Sequence, residues 1–388
     1  MATTTRPLVC ILGSSLVQND SRLEKQRESL IARGYRVEMV GWRNTSDLNT
    51  RDMAGARVLD TSALSKVLQP LAQSAAFLTQ RPSTSAMGIA NAYARRISLA
   101  IDLVRLQPSA VVASDPETLE VAAWIKPRLD FKLIYDAHEY YPEEVLDDTA
   151  RAIAVHRIHR RAADRIDTFI TVNPLIAQLY ANDYPRFPAA QILRNAPKAG
   201  NQPDYDGRLH KLLDLDPRTK IILHQGRLSS MRGLIPLALS AGKLPPNWHV
   251  VFMGAGPLQE DIALAGGQRC SVIAPQPWEQ LPLWTAGATI GAILYEPLGA
   301  NQINCSPNKL WEFPAANVPI LASHLPYLSQ EVQLWGMGWI TEIESTEIAS
   351  LVCRLTNTDL TTARSQCSHF ARSVSWEVEV ETLLAAIS

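Results

Sequence analysis

Short apolar runs alternate with longer amphipathic stretches along the whole chain. LVCILG (8–13) is apolar throughout, the pattern of a strand buried on both faces, whereas YRVEMVGW (35–42) alternates. Between them a helix is predicted from about Ser21 to Arg33. Ser21 and Glu24 have capping-box spacing, and Gly34 supplies the C-terminal stop. AVVAS (110–114), KLIYDAH (132–138), TFITVN (168–173) and QILRN (191–195) read as further strands, and PETLEVAAWIKPRL as a helix among them. Strands separated by helices of this length make a parallel sheet covered on both faces.

The pattern then restarts. KIILHQG (220–226), HVVFMG (249–254), SVIAP (271–275), ATIGAILY (288–295), PILAS (319–323) and GWIT (338–341) are strand candidates with helices between them. Two successive α/β halves of similar length follow, with the boundary in the polar stretch from Pro197 to Gly207. The segment from about Val58 to Arg105 differs: it reads as helices interrupted by QRPSTSAMG (80–88), an insertion near the first sheet.

Composition narrows the function classes. The 388 residues fit two or three domains. With 37 Lys+Arg against 38 Asp+Glu the net charge is −1, which argues against a protein dominated by nucleic-acid phosphate neutralisation. The five cysteines, Cys10, Cys270, Cys305, Cys353 and Cys367, form neither a CxxC pair nor a Cys/His cluster, so neither a disulfide framework nor a zinc site is expected. The apolar run Leu8 to Leu12 is too short for a signal-peptide core, and no run is long enough to span a membrane. A cytoplasmic setting is the expectation, with peripheral contact at the inner face of the membrane left open.

Open parallel sheets bind ligands beyond the C-terminal ends of their strands. Two facing halves would put such loops across one cleft, so residues just after strands carry the interest. GRLSSMRG (226–233) follows a strand and offers Arg227 and Arg232, two guanidiniums suited to a diphosphate, although a solvated basic loop would look the same. CSPNKLWEF (305–313) predicts a helix start at Ser306 and Pro307. Lys309 then sits where the helix dipole disfavours a cation, a conflict that a bound anion relieves. Glu312 follows one turn later, where a carboxylate can take the hydroxyls of a ribose; Lys309 and Glu312 also suit a plain surface pair. Pro314 should kink or shorten this helix.

YDAHEYYPEE (135–144) brings His138 to a strand end, as a base, as a phosphate donor, or as a plain loop residue. GSSLVQNDSR (13–22) follows the first strand. Gly13, Ser14 and Ser15 permit close backbone approach there, and Asn19, Asp20 and Arg22 supply polar contacts. MGAGPLQ has Gly254 and Gly256 but Gln259 at the third glycine position of a dinucleotide fingerprint. SDPE (114–117) reads either as a carboxylate pair or as the first turn of a helix.

In order, these motifs resemble the GT-B glycosyltransferases of the nucleotide-sugar-dependent family 4 type, over nearly the whole chain. NDSRLEKQRESLIARGYRVEMV, SDPETLEVAAWI, KLIYDAHEYYPE and ADRIDTFITVNPLIAQLYANDY with ILRNAP are similar to the family's first domain. GRLSSMRG, MGAGP, LYEP, SPNKLWEF and PILAS follow in the family's order, and SVSWEVEVETLL resembles its returning C-terminal helix. The resemblance implies an α/β architecture of two Rossmann-like domains facing a cleft. Residues 1–198, completed by about 370–388, would form the acceptor side, and 199–369 the donor side.

It implies roles residue by residue. Arg227 and Arg232 match the pair that binds the donor diphosphate, Glu312 the residue that holds the ribose, and Asn308 and Lys309 the helix start beside the phosphates. His138 matches a histidine near the transferred sugar. The family's Glu-x7-Glu motif would place its first Glu at position 304, which is Asn304 here, leaving the donor sugar open. Asn317 replaces a usual Gly and tolerates the left-handed conformation.

The activity implied is transfer of a sugar from a UDP- or GDP-sugar to a glycan, lipid-linked or small-molecule acceptor. It would proceed with retention, without a metal or other cofactor, in polysaccharide or glycoconjugate assembly. Front-face attack is preferred because no carboxylate is placed as a nucleophile, and domain closure would exclude water. YARRISLAIDLVRL (93–106) places Arg95, Arg96 and Arg105 beside Ile97, Leu99, Ile101 and Val104. That stripe suits a membrane-facing surface, or a packed helix with a solvated basic edge. An epimerase of the same fold and a non-catalytic nucleotide-sugar-binding protein are the competing readings.

Overall fold

The computed structural model describes residues 6–13, 20–42, 56–59, 68, 86–200 and 202–388. They form two compact units: residues 1–193 with 380–388, and residues 194–379.

The first unit is built on a parallel sheet of seven strands in the order β3-β2-β1-β4-β5-β6-β7. The strands are β1 (Leu8–Gly13), β2 (Arg36–Trp42), β3 (Ala56–Leu59), β4 (Ala110–Ala113), β5 (Lys132–Ala137), β6 (Thr168–Thr171) and β7 (Gln191–Ile192). All six residues of β1 are buried, as its unbroken apolar sequence requires of a strand covered on both sides. Each large aliphatic side chain so buried contributes about 1.5–3 kcal/mol.

Helix α1 (Ser21–Ala32) lies between β1 and β2. Its cap is Asp20, not Ser21: the Asp20 carboxylate accepts from the backbone N–H of Arg22 (2.9 Å) and Leu23 (3.2 Å), while Ser21 is exposed. A carboxylate one residue earlier, on extended backbone, meets the free N–H groups and the helix dipole better than a hydroxyl. Gly34 ends the helix at φ +88° as expected.

Helices α2 (Ala86–Leu106), α3 (Pro116–Ile125) and α4 (Thr149–Ala162) pack side by side. Right-handed crossovers put these three on the sheet face opposite α1. Asp115 caps α3 through a reciprocal capping box with Thr118, and Pro116 opens its first turn, so SDPE is a helix start. Helix α5 (Pro174–Asp183) joins β6 to β7. Val58 and Leu59, the last two residues of strand β3, fall at the start of the segment read as a helical insertion, of which 60–67 and 69–85 lie outside the described residues. Four edge residues take their conformation from pairing with β2, from Met39↔Ala56 to Trp42↔Leu59, a source of order that local pattern does not carry.

The second unit has a six-stranded parallel sheet in the order β10-β9-β8-β11-β12-β13. Its strands are β8 (Lys220–Gln225), β9 (Trp248–Met253), β10 (Cys270–Ile273), β11 (Ile290–Ile293), β12 (Ile320–Ser323) and β13 (Gly338–Thr341). Helices α6 (Arg208–Leu212), α7 (Leu234–Ser240), α8 (Gln259–Gly266), α9 (Leu281–Thr285), α10 (Gly299–Ile303), α11 (Lys309–Ala315), α12 (Pro326–Trp335), α13 (Ser345–Arg354) and α14 (Asn357–Ser373) complete it.

The C-terminal helical stretch is broken in two. α15 (Trp376–Glu379) stays with the second unit, where the Glu379 carboxylate accepts from Arg194 Nε and the Arg194 backbone N–H, each at 2.9 Å. α16 (Glu381–Ile387) belongs to the first unit, against β5, with Arg33 paired to Glu381. The chain thus returns to its first unit through its last nine residues.

Candidate functional site

In the second sheet the strand order reverses between β8 and β11, so a ligand crevice is expected above the C-terminal ends of those two strands. The loops there are 226–233 after β8 and 294–308 after β11, and they carry most of the residues singled out from sequence.

The 226–233 loop is held by close backbone packing. Gly254 and Gly256 form a wall behind it: a Cβ on Gly254 would lie 1.8 Å from the Gly226 carbonyl oxygen, and one on Gly256 2.2 Å from that of Leu228. Backbone hydrogen bonds run across the gap, from Gly226 N to Met253 O and from Leu228 N to Ala255 O, both 2.9 Å. The two glycines of MGAGP therefore serve this loop and not a dinucleotide fingerprint. Met231 and Gly233 take left-handed conformations at φ +66° and +59°, and the Met231 carbonyl accepts from Glu296 N at 3.2 Å, tying the loop after β8 to the loop after β11.

Arg232 is fixed within this frame. Its Nε donates to Ser229 Oγ at 3.2 Å, and its guanidinium lies 4.9 Å above the Tyr295 ring and donates to the Tyr295 hydroxyl. Tyr295 is in turn held through its carbonyl, which accepts from Ser323 Oγ at 2.7 Å. Lys309 comes from α11 and reaches back over Gly226, where an added Cβ would stand 2.9 Å from its Nζ. Arg227 is exposed at the head of the loop. Among the described residues none of these three cations makes an ion pair with a carboxylate.

A buried histidine sits under them. His224 on β8 is 3% exposed, and its Nε2 has no hydrogen-bond partner among the described residues. Burial, reinforced by the positive charges of Lys309 and Arg232, brings its pKa down to about 3. It is therefore a neutral imidazole beneath unneutralised cations.

Glu312 lies one turn along α11. Gln225 at the end of β8 donates from Nε2 to Glu312 Oε2 at 2.8 Å, and its own Oε1 accepts from the buried Thr285 hydroxyl at 2.8 Å. This chain fixes one carboxylate oxygen. α11 is seated because Gly291 on β11 leaves room for the Phe313 ring, 2.4 Å from where a Cβ would stand.

The helix starts at Lys309 and not at Pro307. Asn308 is its cap residue without a side-chain cap bond, and its Oδ1 accepts from Asn195 Nδ2 at 2.8 Å. Ser306, expected as the cap, has a buried hydroxyl with no partner among the described residues. The Pro307 carbonyl accepts from Leu310 N at 2.9 Å in a tighter turn, and the first regular helical bond runs from Glu312 N to the Asn308 carbonyl at 2.9 Å, so the helix opens at Lys309. Pro314 falls in its last turn, and the helix ends at Ala315. Asn317 then takes φ +61°. Asn304 closes α10, with its Nδ2 donating to the Ala300 carbonyl at 2.8 Å.

In the first unit the reversal falls between β1 and β4, with β5 beside it. Gly13 ends β1; Ser14 and Ser15 lie outside the described residues. His138 follows β5 and is 21% exposed, with its Nε2 3.2 Å from Asp136 Oδ2. Asp136 is fully buried and takes Arg22 in a two-pronged pair, Nε to Oδ2 at 2.9 Å and Nη2 to Oδ1 at 2.7 Å. Gln26 Nε2 adds a bond of 2.6 Å to Oδ2, and Arg22 Nη1 donates to the Leu193 carbonyl at 2.9 Å. Burial alone would raise the Asp136 carboxyl; Arg22 and then His138 outweigh it and hold the group well below the ordinary carboxylate range.

Sequence reading marked Arg22 as a polar contact and passed over Asp136. A lone aspartate inside the apolar strand KLIYDA was the available signal. His224 and Gln225, at the end of KIILHQ, gave the same signal in the second unit.

Among the described residues no group of three or more His, Cys, Asp or Glu is placed to hold a metal ion. Cys10, Cys270, Cys305, Cys353 and Cys367 form no disulfide bond with one another.

Comparison with known proteins places this geometry. Residues 21–196 match the model of the glycosyl transferase 4-like domain. No curated protein sequence matches the chain. Among solved structures, sucrose-phosphate synthase from Thermosynechococcus elongatus superposes with a TM-score of 0.73 at 13% identity, covering 97% of each chain. Anabaena HepE in complex with UDP-glucose gives 0.70 at 15% identity, covering 98% of this chain and 100% of that one. A glycosyltransferase from Rickettsia africae gives 0.68 at 11% identity, covering 98% and 97%. The chain therefore has the GT-B fold, and its residues 21–196 are similar to the glycosyl transferase 4-like domain.

Proposed function

We propose that the protein transfers a sugar from a nucleoside-diphosphate sugar to an acceptor, with the donor held by the second unit. The observation that carries this reading is the set of three cations, Arg227, Arg232 and Lys309, unpaired with any described carboxylate at the β8/β11 reversal. A diphosphate supplies the missing negative charge. When the glycosidic bond breaks, charge grows on the leaving diphosphate, and fixed cations stabilise that charge without reorganising. Arg232 is the best prepared, because Ser229 and Tyr295 already hold its guanidinium. Removing one such contact typically costs about 10²–10³-fold in rate.

Glu312 takes the ribose hydroxyls in this reading, with Gln225 fixing its Oε2 and its other oxygen free to accept. Asn308 and Lys309 flank the phosphates. Gly13, Ser14 and Ser15, after β1, and His138, after β5, serve the transferred sugar and the acceptor from the first unit. Asp136 keeps the His138 Nε2 hydrogen-bonded and its ring oriented. Asn304 is an amide where the resemblance expects a carboxylate, so the donor sugar is read by neutral hydrogen bonds. Retention by front-face attack is the stereochemical course we favour, and a uridine nucleotide is the donor we favour, since structural neighbours are described with UDP or UDP-glucose bound.

The test is release of nucleoside diphosphate from UDP- and GDP-sugars, with product anomers followed by NMR. Turnover with one donor, abolished by Arg232→Ala, supports the reading. Epimeric nucleotide sugar as the product would instead identify an epimerase. Donor binding without turnover on any acceptor offered would identify a binding protein.

A further inference from the structure

We propose that the outer face of the α2–α3–α4 layer is a docking surface for an anionic lipid bilayer. Its charge is one-sided. α4 carries four arginines and no carboxylate, in a chain whose net charge is −1. Arg151 is taken up by Glu117 and Glu144. Arg157, Arg160 and Arg161 are exposed and form no ion pair with a described carboxylate, and the same holds for Arg165 just beyond the helix. The carboxylates nearby are committed elsewhere: Glu120 to Arg96, Asp164 to Arg186 and Asp167 to Lys126.

The apolar half lies on the same face. Along α2, Tyr93 (59% exposed), Ile97 (39%), Ile101 (43%) and Val104 (47%) recur at helical spacing and turn one stripe outward. Trp124 at the end of α3 is 60% exposed, with the Arg128 guanidinium 5.3 Å from its ring centre. The two halves meet in a depression of about 650 Å³ lined by Ile97 and Trp124 together with Arg128, Arg161 and Arg165. Ile153, 54% exposed, lines the adjoining hollow beside Arg157 and Arg160.

A row of exposed aliphatics, an exposed tryptophan and a cluster of arginines is the arrangement that lies in a bilayer interface. The apolar side chains enter the acyl boundary, Trp124 sits at headgroup level, and the guanidiniums bind lipid phosphates. A purely polyanionic partner such as nucleic acid would leave the α2 stripe without a use. The surface belongs wholly to the first unit, and the proposal does not depend on the transferase reading.

The test is co-sedimentation of the full chain with vesicles of phosphatidylcholine containing one-third phosphatidylglycerol, against pure phosphatidylcholine, at two salt concentrations. Binding to the anionic vesicles alone, weakened by salt, is expected. The triple variant Arg157→Glu/Arg160→Glu/Arg161→Glu changes only exposed side chains and should bind about a hundredfold more weakly while melting like the parent. Trp124→Ala should bind several-fold more weakly with the same salt dependence. The proposal is overturned if the parent does not bind anionic vesicles, or if the folded triple variant binds as tightly as the parent. Binding unaffected by Trp124→Ala would overturn insertion of the apolar stripe.

Discussion

Replacing Arg22 by Met probes the buried charge that orients His138. Arg22 and Asp136 are 2% and 0% exposed, so neither can turn to water when the other is lost. The substitution removes the bonds of 2.9 and 2.7 Å to Asp136 and the bond of 2.9 Å to the Leu193 carbonyl. What remains on the carboxylate is Gln26 and His138. Losing one partner of a buried pair costs about 3–5 kcal/mol, against about 1 kcal/mol for a neutral hydrogen bond.

The pH dependence carries a sign. In the parent the Asp136 pKa is depressed, so its contribution is complete above the unfolded value of about 3.9 and is lost as pH falls through the lower folded value. Without Arg22, burial dominates and the carboxyl moves up. The variant is then most destabilised at neutral pH and recovers part of the loss as the carboxyl protonates between neutrality and the ordinary carboxylate range. Urea unfolding at pH 7.5 and 5, with hydrogen exchange of the Leu133–Ala137 amides to identify the unit, measures both quantities. Arg22→Met/Asp136→Leu should regain most of the stability, since an apolar pair tolerates the site. A loss below about 1 kcal/mol at neutral pH, or an equal loss at both pH values, would refute the reasoning.

Other consequences can be checked directly. Gly254→Ala puts a methyl 1.8 Å from the Gly226 carbonyl and should lower the melting temperature and abolish nucleotide binding together, read by calorimetry and by titration with UDP. Glu312→Ala should weaken UDP binding about tenfold, from loss of a charge-assisted hydrogen bond, with little change in melting. His159 and His224, one in each unit, are both depressed to about 3, so each unit should lose stability as pH falls from about 6.5 through the folded values, by roughly 2 kcal/mol per histidine at pH 5. Urea denaturation of His159→Phe and His224→Phe across that range should show a flatter profile for the substituted unit.

Much of the architecture was legible because parallel strands covered on both faces leave an unambiguous mark. β1, β8, β9 and β12 each read as an apolar run bounded by turn residues. β3 did not, because an edge strand of four residues is specified by its neighbour. Loops after strands pointed to Arg227, Arg232, Lys309 and Glu312, and the β8/β11 reversal brings them to one end of one sheet. What sequence withheld was the support beneath them. Gln225 bridging Thr285 to Glu312, Tyr295 beneath Arg232 and Arg22 paired to Asp136 join residues from 60 to 114 positions apart. Such pairings follow from the closed fold and leave no spacing signal. The caps failed for a local reason. Asp20 displaced Ser21, and the turn at Pro307 and Asn308 displaced Ser306, because more than one polar residue stood at each helix start.

The central claim is that the second unit holds a nucleoside diphosphate on Arg227, Arg232 and Lys309. The most direct measurement is the thermal shift of the protein and of its Arg232→Ala and Lys309→Ala variants with UDP, GDP, ADP and their sugar conjugates. A ligand at a hundred times its Kd adds about 2.7 kcal/mol. The account predicts a clear shift with one nucleotide family, UDP by preference, and its loss in both variants while they fold normally. A shift that survives both substitutions, or none with any diphosphate, would contradict it.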